Sequence, residues 1–262
     1  MIYPEFSTVL FEIGVIKIRW YGVMYIIGFV IAFALLKYRA ARRDDWDVRD
    51  IEDLIFYGAM GVILGGRIGY VLFYQFDAFL DNPLYLFKVW DGGMSFHGGL
   101  LGVLTAIAYF ARKQGRGYFE VSDFLAPATP WGLFFGRIGN FINGELWGKP
   151  TDVPWGFIVN GQKLHASQLY EAFLEGLVLF CILWWFSRVP RPRMAVSGLF
   201  LMFYGVFRFA IEFVRVPDAD PGYIAFGWVT MGQILSTPMI VAGLTLVVFA
   251  YRSRPPTKVA PS

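Results

Sequence analysis

Long apolar stretches dominate the chain, and their length is the first structural signal. A transmembrane helix needs roughly 17 to 25 mostly apolar residues to cross the hydrocarbon core of a bilayer. Seven stretches of about this length contain at most two ionisable side chains each. They predict an all-α polytopic membrane protein of about seven transmembrane helices, with residues 1–262 as a single transmembrane domain. The stretches are 20–36, 54–76, 94–111, 124–143, 166–187, 195–214 and 228–251.

The segment 144–165, between the fourth and fifth stretches, is more polar and contains turn residues. Within it, residues 155–159 and 162–165 flank the dipeptide Asn160-Gly161. An Asn-Gly pair readily adopts the positive φ angles that a two-residue hairpin turn requires. We therefore expect a small lobe over 144–165 that contains a short β-hairpin.

Basic residues in the connecting segments indicate the orientation in the membrane, because short loops rich in Lys and Arg stay in the cytoplasm. The segments after the first, third and fifth stretches, together with the C-terminal tail, carry 14 Lys and Arg. The N-terminal region and the other loops carry six. The N-terminus and the lobe are therefore predicted to be extracytoplasmic, and the C-terminus cytoplasmic.

Composition narrows the function classes. Charged residues make up 16% of the chain, against about 25% in soluble proteins, and 56% of residues are hydrophobic. With a net charge of only +3, this excludes a disordered chain and a nucleic-acid binder with a basic surface. The single cysteine, Cys181, excludes an intrachain disulfide and a thiolate metal cluster, and we expect it to pack in the core. The two histidines lie in different regions, so no histidine-rich metal site is expected.

Three arginines lie inside apolar stretches, where a charge is costly and usually marks a functional site. Arg67, Arg137 and Arg208 each lie about 13 residues from the cytoplasmic end of their stretch, or about two-thirds of the way out at roughly 1.5 Å per residue. His97 and Tyr21 lie near the outer ends of theirs. We expect these groups to form one layer in the outer half of the membrane.

The sixth stretch carries polar residues at i, i+4, i+8 and i+11, which places them on one helix face. Two interpretations are open: Arg208 and Glu212 merely neutralise each other, or the face holds a charged ligand. The fifth stretch begins with Glu171 and Glu175 and is then apolar. Because three arginines meet few acids in the apolar stretches, we favour an anionic ligand, and guanidinium forks suit phosphate oxygens. The residues of this face are Tyr204, Arg208, Glu212 and Arg215.

The two histidines are interpreted differently. His97 lies in a glycine-rich segment, 94–99, at the start of the third stretch. A lone histidine at a helix start is commonly a hydrogen-bonded structural group, but the depth of His97 matches that of the arginines and favours a role in the site. His165 falls at the end of the predicted lobe, where we expect a structural role.

The end of the fourth stretch carries the most specific motif. Residues 135–148 read Phe-Gly-Arg-Ile-Gly-Asn-Phe-Ile-Asn-Gly-Glu-Leu-Trp-Gly. By helical spacing Arg137 and Asn140 are neighbours, and Asn143 and Glu145 end the helix in polar groups. This segment resembles, nearly letter for letter, the signature of prolipoprotein diacylglyceryl transferases, the bacterial membrane enzymes that lipidate lipoprotein precursors.

The resemblance covers essentially the whole chain. Blocks similar to those of the family occur, in the right order, at 20–25, 65–70, 92–99, 167–171 and 204–212. One departure is Ala166, where family members often have proline after the histidine. This departure weakens any inference about rigidity at His165 and leaves the other blocks unaffected.

The resemblance implies transfer of the diacylglyceryl group of phosphatidylglycerol to the thiol of the lipobox cysteine in a prolipoprotein signal peptide. The products would be a thioether-linked precursor and glycerol 1-phosphate. The implied partners are phosphatidylglycerol, signal peptides with a lipobox cysteine, and the lipid bilayer, with no nucleic acid and no cofactor. The implied location is the bacterial inner (cytoplasmic) membrane, with the active site toward the outer half.

The mechanism that we expect is direct displacement at the glyceryl carbon next to phosphate. His97 would accept the thiol proton, and Arg137 and Arg208 would hold the phosphate, so these three are the expected catalytic residues. The alternative is that an arginine-rich field supplies the thiolate without a dedicated base. The residues expected to bind substrate or to orient the arginines are Tyr21, Arg67, Asn140, Asn143, Glu145, Gly148, Tyr204 and Glu212.

Two other function classes fit parts of the pattern. A transporter for an anionic metabolite also lines its path with arginines, but it normally needs polar residues at both depths or broken helices at the midplane. The inner halves of the first and seventh stretches are almost wholly apolar. An intramembrane protease is disfavoured because the sequence shows no Ser-His pairing, HExxH motif or paired membrane aspartates.

Overall fold

The computed structural model describes residues 1–14, 16–88, 92–217 and 222–253, most of which are helical. The helices are α1 (Trp20–Ala40), α2 (Val48–Tyr74), α3 (Phe76–Asp81), α4 (Phe96–Lys113), α5 (Tyr118–Leu125), α6 (Thr129–Ile142), α7 (Ser167–Glu171), α8 (Leu179–Phe186), α9 (Ala195–Ile211) and α10 (Met231–Arg252). A 3-10 turn spans Pro83–Phe87, and a π-helical segment spans Ala172–Val178. The strands are β1 (Val9–Ile13), β2 (Ile16–Arg19), β3 (Phe157–Val159), β4 (Gln162–Leu164), β5 (Tyr223–Ala225) and β6 (Val229–Thr230).

The apolar stretches of the sequence all overlap helices, and the longest of these helices are suited to a bilayer. Within the described residues, four helices are long and apolar enough to span a membrane: Trp20–Ala40, Val48–Tyr74, Ser167–Phe186 and Met231–Arg252. A further apolar helix, Ala195–Ile211, is shorter. The chain is therefore a mostly helical protein of membrane type, and seven spans stay a prediction.

The chain divides into two compact units, one of Met1–Ala32 with Asp123–Ser262 and one of Phe33–Ser122. In the second unit, α2 and α4 pack so closely that their glycines face main chain. A Cβ atom added to Gly61 would lie 2.6 Å from the carbonyl oxygen of Gly102, and one added to Gly69 would lie 2.7 Å from the Cα of Gly98. Small residues thus permit the close approach of these two helices.

In the first unit, α7, the π-helical segment and α8 form one continuous helix, Ser167–Phe186, which packs between neighbours. A Cβ atom on Gly176 would lie 2.7 Å from the Cβ of Phe134 in α6, so the two helices are in backbone contact there. Helices α9 and α10 pack equally closely, with Gly198 beside the carbonyl of Gly243. Leu179 and Leu183 are fully buried against α9 and fix the core of this unit.

The segment 144–165 contains the predicted hairpin. Strands β3 and β4 pair antiparallel, with Phe157 opposite Leu164 and Val159 opposite Gln162. Asn160 and Gly161, at the turn, have φ angles of 50° and 78°, as a type I′ turn requires. The hairpin is therefore confirmed, and the extracytoplasmic position of the lobe stays a prediction.

Two further hairpins correct the expectation of an all-α chain. Strands β1 and β2 pair directly before α1, and β5 and β6 pair directly before α10. Thr230 ends β6 and also starts α10 with a capping box, in which its backbone N–H donates to Oε1 of Gln233 over 3.0 Å. Strands of two to five residues are too short to give a readable alternation of apolar and polar positions.

Candidate functional site

Glu171 is the centre of a buried ion-pair cluster in the unit of Met1–Ala32 and Asp123–Ser262. Its side chain is fully buried and three guanidinium groups surround it. Oε2 of Glu171 lies 2.5 Å from Nε of Arg137, and Oε1 lies 3.1 Å from Nη1 of Arg208 and 2.6 Å from Nη1 of Arg215. We call these residues, together with Glu212, the arginine cluster.

The polar face predicted on the sixth stretch forms one side of the arginine cluster. Nη2 of Arg208 lies 2.6 Å from Oε1 of Glu212, and Nε of Arg215 lies 3.2 Å from the same oxygen. The spacing i, i+4 and i+7 therefore brings these three side chains together as predicted. The neutralising pair of Arg208 and Glu212 is real, but it is one edge of a larger network.

Glu212 is held from a second helix as well. Oγ1 of Thr230, at the start of α10, donates to Oε2 of Glu212 over 2.6 Å. The carboxylate occupies space that is open only because residue 232 is glycine, since a Cβ there would lie 2.6 Å from Oε1. Glu212 is thus fixed in position by both a hydrogen bond and shape.

Glu175 lies beside the arginine cluster, one turn beyond Glu171. It falls within the π-helical segment Ala172–Val178, whose wider turn is typical of functional sites in helices. Its side chain is fully buried, and neither carboxylate oxygen has a hydrogen-bond partner among the described residues. Arg137, Arg208 and Arg215 are all close enough to act on it electrostatically.

The expected shortage of acids around the arginines is wrong. Glu171, Glu175 and Glu212 balance Arg137, Arg208 and Arg215 in number. Glu171 and Glu175 begin an apolar stretch, so in the sequence they resemble the polar end of a helix. Their i, i+4 spacing, the same signal that identifies the face of α9, places both on one side of the helix.

A chain of amide and carboxylate groups extends from the arginine cluster to the end of α6. Nη1 of Arg137 donates to Oδ1 of Asn140 over 3.4 Å, and Nδ2 of Asn140 donates to Oε1 of Glu145 over 2.7 Å. Nδ2 of Asn143 also donates to Oε1 of Glu145, over 3.2 Å. The four polar residues predicted from the motif of residues 135–148 are therefore connected, and Glu145 is the exposed end of the chain.

The two predicted tyrosines border the same network. The Tyr21 hydroxyl lies 3.2 Å from the Tyr25 hydroxyl, and a Cβ on Gly139 would lie 2.9 Å from the Tyr21 ring. Tyr204, one turn before Arg208 on α9, lies within electrostatic range of Glu175. Both rings therefore lie beside the charged groups, and both belong to the same unit as the arginine cluster.

Gly148 is tightly packed against the main chain and does not border open space. Its N–H donates to the carbonyl of His165 over 2.8 Å, and a Cβ there would lie 2.5 Å from the carbonyl oxygen of Val214. The space beside Gly148, which the sequence places among the expected substrate-binding residues, is therefore occupied by Val214 and His165. His165 has the expected structural contacts, since its Nδ1 lies 3.1 Å from the Tyr170 hydroxyl, and burial lowers its pKa.

Arg67, which the sequence predicts to bind substrate, lies in the other unit, and its contacts are with the main chain. It is buried, and its guanidinium donates to the main-chain carbonyls of residues 85, 86, 92 and 93. Nη1 lies 2.6 Å from the carbonyl oxygen of Gly92, and Nη2 lies 2.6 Å from that of Tyr85. These contacts indicate that Arg67 holds the 3-10 turn Pro83–Phe87 and the residues shortly before α4.

His97 occupies the first turn of α4 in the same unit as Arg67. Its side chain is exposed, and the ring stacks edge-on against Phe96. The helix starts one residue earlier, where Oγ of Ser95 accepts the N–H of Gly98 over 3.2 Å. Among the described residues, the imidazole is accessible to an external partner. The helix turn that carries it is held in place by the Ser95 cap.

Cys181 is exposed on α8, so its expected core position is wrong. The buried positions of this helix are Leu179 and Leu183. Residue 181 lies two positions from each and therefore points to the opposite face.

As a chemical arrangement, the arginine cluster is a set of fixed cationic forks in apolar surroundings. The guanidinium side chains of Arg137 and Arg208 remain 23% and 18% exposed, so part of each fork is available to a ligand. Such forks bind phosphate oxygens in two-pronged geometry. Among the described residues, no group of His, Cys, Asp and Glu side chains is placed to hold a metal ion.

Comparison with known proteins identifies what the chain is similar to. The sequence profile described as "Prolipoprotein diacylglyceryl transferase" matches residues 8–249. A relative from Oleidesulfovibrio alaskensis is 58% identical over 255 residues, which is 96% of each chain. A relative from Methylococcus capsulatus is 56% identical over 96% of this chain and 98% of its own. A relative from Psychrobacter arcticus is 51% identical over 96% of each chain.

All three relatives carry the name "phosphatidylglycerol--prolipoprotein diacylglyceryl transferase". The family model and the relatives both span nearly the whole chain, so the match includes every residue of the arginine cluster. The resemblance inferred from the segment 135–148 is confirmed. This chain belongs to the prolipoprotein diacylglyceryl transferase family.

Proposed function

We propose that this chain transfers the diacylglyceryl group of phosphatidylglycerol to the lipobox cysteine of prolipoproteins, in line with the names of its relatives. The observation that carries the proposal is the convergence of three guanidinium groups on the buried Glu171 carboxylate, within helices that are largely apolar. A phosphodiester headgroup needs this chemistry in this environment. The relatives' names give no support to an anion transporter.

In this proposal Arg137 and Arg208 bind the phosphodiester of the lipid. Their carboxylate partners hold the two forks in place before the lipid arrives, so little reorganisation accompanies binding. Because each side chain retains an exposed portion, the phosphate oxygens contact the free edge of each fork while Glu171 holds the other. The same arginines then stabilise the charge that collects on the departing phosphate.

The reaction that follows is a displacement at the glyceryl carbon next to the phosphate. The sulfur of the lipobox cysteine forms a bond to this carbon as the carbon–oxygen bond to the phosphate breaks. The electron pair leaves with the phosphate oxygen, which gives glycerol 1-phosphate and a thioether. The thiol proton goes to a base or to solvent.

Two sources of the thiolate are compatible with the chain. His97 has an exposed imidazole in the first turn of α4 and suits the role of general base. The alternative is that the field of the arginines lowers the thiol pKa of the substrate enough to make a base unnecessary. A His97→Gln variant separates the two, since loss of a general base costs about 10²- to 10⁴-fold in rate.

The polar residues around the arginine cluster orient the headgroup or the arginines. Asn140 contacts both Arg137 and Glu145, so it couples the fork to the exposed end of the network. Asn143 supports Glu145 from the end of α6. Tyr21 and Tyr204 border the network from α1 and α9, where their hydroxyls reach a headgroup.

The proposed location is the bacterial inner membrane, with seven spans, the N-terminus outside, the C-terminus inside and the arginine cluster toward the outer half. Cysteine labelling in a Cys181→Ser background tests this topology. An impermeant maleimide should label Gln162→Cys, in the exposed hairpin, in intact spheroplasts. Arg188→Cys, which is also exposed, should react only after lysis. The reverse pattern would contradict the orientation.

The activity itself is tested with radiolabelled phosphatidylglycerol and a lipobox peptide in detergent. We expect the glycerol-linked acyl label to move to the peptide and glycerol 1-phosphate to appear in equal amount. A peptide with serine in place of the lipobox cysteine is the matched control and should accept no label. Absence of transfer to the cysteine peptide by the folded protein would contradict the proposed function.

A further inference from the structure

Glu175 is a buried acid that the proposed chemistry does not use. Its side chain is fully buried in the π-helical segment Ala172–Val178, and within the part of the chain that the structure describes neither oxygen has a hydrogen-bond partner. A buried carboxylate without partners is costly, so its presence calls for a physical reason. Glu171, one turn earlier, is buried to the same extent but holds three arginines.

The groups that face Glu175 come from three helices of the same unit. Glu171 faces it from its own helix, and Arg137 faces it from α6. Arg208 and Tyr204 face it from α9, and Arg215 faces it from the segment after α9. Glu175 thus interacts with the arginine cluster through space, without the direct ion pairs that Glu171 and Glu212 make.

The charges of this region cancel when every acid is ionised. Three guanidinium groups, which stay protonated in proteins, meet the carboxylates of Glu171, Glu175 and Glu212. A bound phosphodiester adds one negative charge to this buried set. An uncompensated buried charge is expensive, so the site needs one proton to become neutral again.

Glu175 is the carboxylate that can take this proton with the least loss. Protonating Glu171 weakens contacts of 2.5 to 3.1 Å with three arginines, and protonating Glu212 weakens contacts of 2.6 and 3.2 Å with two. Protonating Glu175 breaks no ion pair and no hydrogen bond among the described residues. Glu145 is exposed and already accepts hydrogen bonds from Asn140 and Asn143, so it lies outside this buried set of charges.

We propose that Glu175 takes up one proton when the anionic phosphodiester binds to the arginine cluster, and releases it when the site empties. Glu175 is in this view a positioning residue, which acts on the lipid through the charge of the cluster and does not touch the reacting atoms. The proposal rests on the proposed function, because it takes the phosphodiester of phosphatidylglycerol as the ligand.

The test is the pH dependence of lipid affinity. Purified protein in phosphatidylcholine nanodiscs is titrated with short-chain phosphatidylglycerol from pH 5.5 to 9, where the phosphodiester keeps its charge. For the parent, affinity should fall by up to about tenfold per pH unit, the limit for one linked proton. Glu175→Gln should bind with the parent's low-pH affinity at every pH. Glu52→Gln, at an exposed position of α2, should follow the parent.

A second measurement needs no variant. Calorimetry of the parent in two buffers of different ionisation enthalpy should show uptake of about one proton per lipid bound near the midpoint of the pH dependence. Equal pH slopes in the parent and in Glu175→Gln, or binding by the parent without proton uptake, would overturn the role of Glu175. If the parent fails to bind phosphatidylglycerol at any pH, the proposed function fails, and this inference fails with it.

Discussion

Two kinds of arginine lie in the apolar helices of this protein, and their partners differ. Arg67 is 2% exposed and donates to main-chain carbonyls at 85, 86, 92 and 93. Arg137 and Arg208, together with Arg215 from the segment after α9, instead pair with side-chain carboxylates and keep 13 to 23% of their side-chain surface exposed. The sequence presents Arg67, Arg137 and Arg208 alike, at the same depth in three apolar stretches.

The partner decides which arginine can bind a ligand. Main-chain carbonyls are fixed by the fold and cannot be replaced, so an arginine that serves them is part of the scaffold. A carboxylate and a phosphate present similar oxygen pairs to a guanidinium fork, so an arginine held by carboxylates is already shaped for phosphate. An arginine at bilayer depth is therefore a functional candidate only once its partners are known.

The largest effect is expected from removing the shared acid of the arginine cluster. Glu171→Ala leaves three partly exposed arginines without their common buried partner, and breaking a buried ion pair costs about 3 to 5 kcal/mol. We expect a large drop in the thermal unfolding midpoint in detergent, together with loss of transfer. Glu52→Ala, at an exposed position, is the control. Parental stability and turnover in Glu171→Ala would show that the cluster is not held by this carboxylate.

A smaller effect is expected from keeping the charge and removing the fork. Arg137→Lys and Arg208→Lys should insert and fold, but lose a charge-assisted contact worth about 1.5 to 3 kcal/mol, or roughly tenfold to over a hundredfold in transfer rate. Arg188→Lys, at an exposed position after α8, should behave like the parent. Near-parental turnover in both cluster variants at saturating phosphatidylglycerol would leave these arginines as partners of Glu171 and Glu212 alone.

A lysine substitution at Arg67 should lower stability and leave turnover unchanged, the opposite of what is expected at Arg137 and Arg208. A lysine ammonium at 67 cannot donate to all the carbonyls that lie around the edge of the planar guanidinium, so Arg67→Lys should lower the free energy of unfolding by about 1.5 to 3 kcal/mol. Turnover per folded molecule should stay near that of the parent. Unchanged stability with a raised KM for phosphatidylglycerol would instead restore the headgroup-binding role that the sequence suggests for Arg67.

No effect is expected at the only cysteine of the chain. Cys181 is exposed on α8, away from the buried face of Leu179 and Leu183. Cys181→Ser should keep both stability and transfer, measured side by side with the parent. Loss of transfer in a folded Cys181→Ser protein would point to a covalent lipid–enzyme intermediate.

Much of this fold could be predicted from the sequence, because apolar length and helical spacing are local properties. The stretches, the Asn160-Gly161 turn and the common face of Arg208 and Glu212 follow from such local rules. The partners of each arginine could not be predicted, since they depend on contacts between residues far apart in the chain. Arg137 and Glu171 are the clearest example: two helices bring them within 2.5 Å.

The depth of an arginine in its apolar stretch indicates its role less well than the groups that it contacts. Counting along a helix puts Arg67 level with Arg137, and nothing in either local sequence tells which one meets carbonyls and which one meets a carboxylate. Gly148 shows the same limit, because the space beside it is claimed by Val214, a residue more than sixty positions away. Contacts between residues far apart in the chain, and not the local sequence pattern, therefore decide which residues support the fold and which can meet a ligand.

The number of residues in the π-helical segment Ala172–Val178 determines where its side chains point. A regular α-helix advances about 100° per residue, and a π-turn holds about one residue more than an α-turn. Deleting one residue within Ala172–Val178 would therefore let the helix form regular α-turns throughout, with Leu179 and Leu183 still facing the core. Residues inside the segment, Glu175 among them, would change direction, so the extra residue of the π-turn sets where the Glu175 carboxylate points.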